Sequence, residues 1–194
     1  MTTTPLILAS SSIYRRELLS RLGLTFSSVS PHIDESALPG EIPQATALRL
    51  ALAKAQAVAQ THNTGLVIGS DQVADLEGLA LGKPLTHENA RLQLKAMSGK
   101  TVYFHTALCL FNIQTGRYQL ETVSPKVQFR TLSSENIENY LFKEKPYDCA
   151  GSAKIESLGI ALVHGVDCAD PTALIGLPLI CLISMLKKEG MPVL

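Results

Sequence analysis

Short apolar runs alternate along this chain with longer stretches whose apolar residues recur at helical spacing. Pro5 to Ser10 (PLILAS) suits a buried strand. It ends in Ser10-Ser11-Ser12, and the stripe Leu18, Leu19, Leu22 predicts a helix that a serine caps and Gly23 stops. Phe26 to Ser30 reads as a second strand. The alanine-rich stretch Pro43 to His62 reads as a helix with proline in its first turn. Gly65 to Gly69 (GLVIG) is a further buried strand, predicted to end at Ser70-Asp71-Gln72. A hairpin through Glu77-Gly78 and a helix from about Glu88 to Met97 follow. Two long strands, Thr101 to Asn112 and Tyr118 to Phe129, flank a turn at Thr115-Gly116. Ser133-Ser134-Glu135 opens a helix reaching about Glu144, and a last helix covers roughly Leu177 to Glu189. Strands alternating with helices, plus one long hairpin, predict an α/β fold with a mixed sheet.

The 194 residues are enough for one domain, or two lobes sharing one core, and residues 1–194 are expected to form a single domain with two lobes around one cleft. Hydrophobic residues at 46% and charged residues at 18% support a sizeable core. Seventeen basic residues balance seventeen acidic ones, which argues against nucleic acid as a partner, since backbone binding needs a basic surface. A small phosphate ligand needs only a few placed cations. Cys109, Cys149, Cys168 and Cys181 form no CxxC pair and read as reduced thiols. Met1 to Pro5 is polar and Leu6 to Ala9 is too short for a signal core, so a cytoplasmic location is expected. The apolar stretch Ala173 to Leu186, broken by Gly176 and Pro178, predicts a buried helix and no membrane span.

Three predicted strand ends carry clustered polar residues, where α/β sheets hold ligands. At Ser10-Ser11-Ser12-Ile13-Tyr14-Arg15-Arg16, helix-start N–H groups, hydroxyls and guanidinium groups suit phosphate. At Gly69-Ser70-Asp71-Gln72, a carboxylate after an apolar strand suits Mg²⁺ or Mn²⁺, or a proton from water. In Gly82-Lys83-Pro84, the lysine can reach a phosphate as a point charge, although this is no Walker loop. Each pattern alone reads first as a cap or turn. Lys54 reads first as a solvated helix residue and Asp34-Glu35 as an acidic loop. Five scattered histidines make no zinc motif, and there is no GxSxG elbow and no GxGxxG.

Taken in order, SSSIYRREL, DES, LRLALAKA, IGSDQV, GKPLTHENARLQL with MSG, CAGSAKIESLG and LIGLPL resemble the Maf family of nucleoside triphosphate pyrophosphatases. The resemblance runs from about Leu6 to Leu186. It implies an elongated central mixed sheet bent around a cleft with helices on both sides, of the Maf/ITPase kind. It implies hydrolysis of a nucleoside triphosphate to monophosphate and pyrophosphate with a divalent cation, Mg²⁺ or Mn²⁺. By the same resemblance Asp71 is the general base and a metal ligand, with Glu35 lining that site. Ser10, Arg15, Lys54 and Lys83 take the phosphates, and two copies pair as a homodimer.

The chain departs from members acting on dTTP and UTP at Tyr14, Gln72, Cys149 and Glu156. Tyr14, Gln72 and Glu156 together resemble the subgroup acting on 7-methyl-GTP. The chemistry is coherent. N7-methylated guanine is cationic, Glu156 can accept from its N–H edge, and Tyr14 can stack on it with about 0.5–2 kcal/mol of cation–π attraction. A carboxylate there also rejects bases that present acceptors. The alternatives are a pyrophosphatase for dTTP, UTP or other unmethylated nucleotides, and a non-catalytic nucleotide-binding regulator of cell division.

Overall fold

A computed structural model describes residues 4–194; Met1 to Thr3, part of the polar start read above, lie outside the described residues. Among the described residues eight strands form one open mixed sheet, ordered β2-β1-β3-β5-β7-β8, with β4 also on β3 and β6 also on β5. In chain order they are β1 (Leu6–Ala9), β2 (Ser27–Ser28), β3 (Leu66–Leu76), β4 (Leu79–Leu81), β5 (Thr101–Asn112), β6 (Tyr118–Val123), β7 (Lys126–Phe129) and β8 (Val163–Asp167). The helices are α1 (Ile13–Ser20), α2 (Pro43–Ala59), α3 (His87–Met97), α4 (Ser134–Glu144) and α5 (Leu179–Lys188). The expected α/β class and mixed sheet are therefore present.

Alternation along β1 and β3 sends side chains to opposite faces. Leu6, Leu8, Leu66 and Ile68 pack with Leu18 and Leu19 of α1 and Leu182 of α5. Ile7, Ala9 and Val67 pack with Ala47, Ala51 and Ala55 of α2 on the other face. Helices thus cover both faces. A third cluster joins Val102, Phe104 and Val127 to α3 and α4.

Four details differ from the sequence reading. The second strand shrinks to Ser27–Ser28. Tyr118 to Phe129 is split at Ser124-Pro125, because proline has no N–H for the ladder. Both pieces nevertheless keep one register on β5, with Thr106 opposite Val123 and Tyr103 opposite Lys126. The stretch Ala173 to Leu186 is not one helix: a short 3-10 helix, Pro171–Ile175, turns at Gly176 (φ 119°) before α5 begins. Most consequential, β3 does not end before Asp71 but continues to Leu76, paired with β5 from Leu66 to Asp75.

Among the described residues no helix is long and apolar enough to cross a membrane. All four cysteines are free.

Candidate active site

The site is a gap in the sheet. One edge of β3 pairs with β1 as far as Gly69 and with β4 only from Ala74. Among the described residues, no strand pairs with Ser70, Asp71, Gln72 or Val73 on that side. β1 runs parallel to β3 and β4 antiparallel, so both strands run into the gap from opposite directions. The residues that follow them, Ser10 to Arg15 and Gly82-Lys83, form its two rims. Register alone explains why these distant segments meet.

Ser70 and Gln72 survive inside β3 because their side chains are satisfied. The Ser70 hydroxyl donates to the carbonyl of Ala107 or of Gly176, at 2.8 and 3.0 Å. The Gln72 amide donates to Thr106 Oγ1 and to the carbonyls of Ala173 and Leu174, pinning the 3-10 helix over the gap. Sequence reasoning ends the strand at Ser70-Asp71-Gln72, since a polar cluster after an apolar run gives no sign of buried partners.

Lys54 reaches Asp71 from α2. Helix and strand approach so closely at Gly69 that a Cβ there would lie 2.1 Å from the Ala51 carbonyl oxygen. This contact brings Lys54 Nζ to 2.6 Å from Asp71 Oδ1 and 3.0 Å from Glu35 Oε2. Lys54 is only 4% exposed, in contrast to the solvated helix residue expected from local pattern. Burial pushes the Asp71 carboxyl above its ordinary value, against the pull of Lys54 and Arg15. Burial draws the Arg15 guanidinium down, opposed by Asp71 and Glu35. Arg15 Nε donates to the Gly176 carbonyl at 2.8 Å. The Ser10 hydroxyl accepts from the Ser12 N–H, and Ser12 caps α1. Lys83 is exposed at the opposite rim and makes no ion pair among the described residues.

Ser10, Tyr14, Arg15, Glu35, Lys54, Asp71, Gln72, Lys83 and Glu156 all line one cavity of about 770 Å³, within the range of small-molecule sites, whereas Arg16 and Asp34 do not. Lys54, Asp71, Arg15 and Lys83 form one part. Tyr14, Glu156, Asp148 and Cys149 form another. The Tyr14 hydroxyl donates to Asp148 Oδ2 at 3.4 Å. Burial, with the neighbouring Glu144 and Asp148, pushes the Glu156 carboxyl up. Cys149 is pushed up to about 12 by burial, so it stays a thiol and is no nucleophile near neutral pH. Asp170 is a residue that the sequence did not single out. It is buried, and its two oxygens accept from Thr172 and from the N–H groups of Ile180 and Cys181, fixing the 3-10 helix and the start of α5.

Among the described residues no three His, Cys, Asp or Glu side chains gather to cage a metal. Asp71 and Glu35 do converge on one ammonium. Two carboxylates fit the way Mg²⁺ is commonly held, by one or two carboxylates with water and substrate phosphate completing the shell.

An open α/β sheet interrupted at one strand edge, with cations on both rims and a carboxylate on its floor, belongs to the proteins that hold anionic ligands beyond their strand ends. Residues 5–189 match the family described as Maf-like protein, and the chain belongs to the Maf family. It is 60% identical to a protein of Methylobacillus flagellatus, over 98% of this chain and 99% of that one. It is 57% identical to relatives from Nitrosospira multiformis, over 97% and 95%, and Cupriavidus pinatubonensis, over 99% and 98%. All three relatives are named 7-methyl-GTP pyrophosphatase.

Proposed function

We propose that this protein hydrolyses 7-methyl-GTP between its α and β phosphates, giving 7-methyl-GMP and pyrophosphate. The observation that carries the reading is the single cavity joining Lys54, Asp71, Arg15 and Lys83 to Tyr14 and Glu156. The names of the close relatives support the substrate.

In this reading water attacks the α phosphorus and pyrophosphate leaves. Asp71 Oδ1 is held by Lys54, while among the described residues Oδ2 has no hydrogen-bond partner and accepts the proton of the attacking water. A carboxyl raised by burial is a stronger base than an ordinary aspartate. Arg15, Lys54 and Lys83 neutralise charge on the phosphate oxygens, the dominant contribution expected for phosphoryl-type transfer. Asp71 and Glu35 would hold a divalent cation, which supplies further charge neutralisation at those oxygens. Glu156 accepts from the N–H edge of the base and Tyr14 stacks on it. The pairing of two copies enters from family resemblance alone, and a cytoplasmic location from the free cysteines.

A panel of triphosphates, including methylated ones, assayed with a divalent cation for pyrophosphate release tests the reading. Preferential turnover of 7-methyl-GTP is expected. Faster turnover of UTP or dTTP would overturn the substrate, and binding without pyrophosphate release would favour a regulator.

A further inference from the structure

Tyr14 and Glu156 stand far apart in the chain, on α1 and on the loop before β8. Lys154 joins them. Its ammonium lies over the Tyr14 ring, 5.3 Å from the centroid, and 3.3 Å from Glu144 Oε1 near the end of α4. The other Glu144 oxygen accepts from Ser157 Oγ at 2.8 Å and Leu158 N–H at 3.0 Å, just past Glu156. The loop is wound on Lys154 itself: the N–H groups of Ser157 and Gly159 both donate to its carbonyl. A Cβ on Gly159 would lie 2.4 Å from that oxygen, so only glycine permits the winding. The Lys154 N–H donates to the Tyr140 hydroxyl at 3.0 Å. Lys154 is thus fixed at both ends, and neither it nor Glu144 lines the cavity.

We propose that Lys154 is a positioning residue for base recognition, its ammonium, held by Glu144, bracing the Tyr14 ring at a set distance from Glu156. The inference rests on the reading that Tyr14 and Glu156 receive the base. A braced ring needs no ordering when the base arrives, so the brace favours binding and leaves the chemistry at the phosphates unchanged. The surroundings of Glu144 suit it to this role. Burial alone would raise its carboxyl, yet the bonds from Ser157, Leu158 and Lys154 bring it below its ordinary value and keep it anionic.

The test combines equilibrium binding of 7-methyl-GMP without metal and steady-state kinetics with 7-methyl-GTP, in the parent, Lys154→Met, Lys154→Arg and Glu144→Gln. Lys154→Met is expected to raise Kd and KM about tenfold, in line with the loss of a partly desolvated cation–π contact, with kcat within about twofold. Lys154→Arg should restore most of the binding, since arginine also stacks on aromatic faces. Glu144→Gln should weaken binding in the same direction by about threefold, and decides the matter if Lys154→Met does not fold. Unchanged Kd and KM, or a fall in kcat alone, would overturn the role of Lys154. Failure of the parent to bind 7-methyl-GMP would instead overturn the base reading beneath it.

Discussion

Lys54 Nζ lies 2.6 Å from Asp71 Oδ1, and the two residues are only 4% and 6% exposed. A buried pair of this kind is weak evidence for stability, because taking both charges out of water costs about as much as their attraction returns. Its place beside Arg15 and Lys83 in one cavity points to function instead. Removing either partner and removing the charge of one are different experiments.

Asp71→Asn separates these effects. Turnover of 7-methyl-GTP should fall by about 100-fold or more, the range for losing a general base. Stability should hold or rise at neutral pH. The sign follows from the raised carboxyl: between the unfolded value of 3.8 and its higher folded value, the native chain binds more protons than the unfolded one. The contribution of Asp71 to stability therefore declines as pH rises through that window. Urea melts across pH should show this slope in the parent and not in the variant. An equal loss of stability and turnover in Asp71→Asn would make the aspartate structural.

Glu41 gives the opposite sign. Its hydrogen bonds with Arg49 lower the carboxyl from 4.5 to about 2, overcoming the opposing desolvation. The native chain releases that proton more readily, so the contribution is fully present above pH 4.5 and is lost as pH falls towards 2. Arg49 also donates to the Ser36 carbonyl, so this pair ties down the loop that carries Glu35. Glu41→Gln should flatten the acid limb of a Tm–pH curve. Under the proposal that Asp71 and Glu35 hold a divalent cation, this variant should also raise the Mg²⁺ concentration needed for half-maximal turnover, measured by titration.

Gly69→Ala tests the route by which Lys54 reaches the site. The added methyl meets backbone of α2, which cannot turn aside as a side chain would. Destabilisation of about 1–3 kcal/mol or more is expected from overpacking. Chemical denaturation measures it. A neutral result would mean that α2 shifts at no cost, and the Lys54–Asp71 distance would not be set by this contact.

Glu156→Gln should lower the ratio of 7-methyl-GTP to UTP turnover about tenfold, the difference between a charged and a neutral acceptor. Parallel kcat/KM measurements read it directly. An unchanged ratio would remove Glu156 from base selection.

Much of the fold is legible in the chain, and the exceptions have physical causes. β1, α1 and the strand Thr101–Asn112 follow from apolar spacing, caps and turn glycines. The candidate residues are legible only as separate clusters, joined by family resemblance. The extension of β3 through Asp71 is not legible, because its polar side chains are matched by partners remote in sequence: Lys54, Thr106 and Gly176. Lys54 looks solvated in the sequence for the same reason. Lys154 and Asp170 each sit in irregular segments, where periodicity says nothing and long-range hydrogen bonds decide position.

The unbroken ladder between β3 and β5, from Leu66 opposite Asn112 to Asp75 opposite Tyr103, sets a limit on motion. It passes beneath both rims of the gap, so neither rim can swing on a strand hinge without breaking rungs. The carboxylate of Asp71 therefore keeps its place in the sheet while nucleotide enters and leaves above it. The floor behaves as a fixed bench.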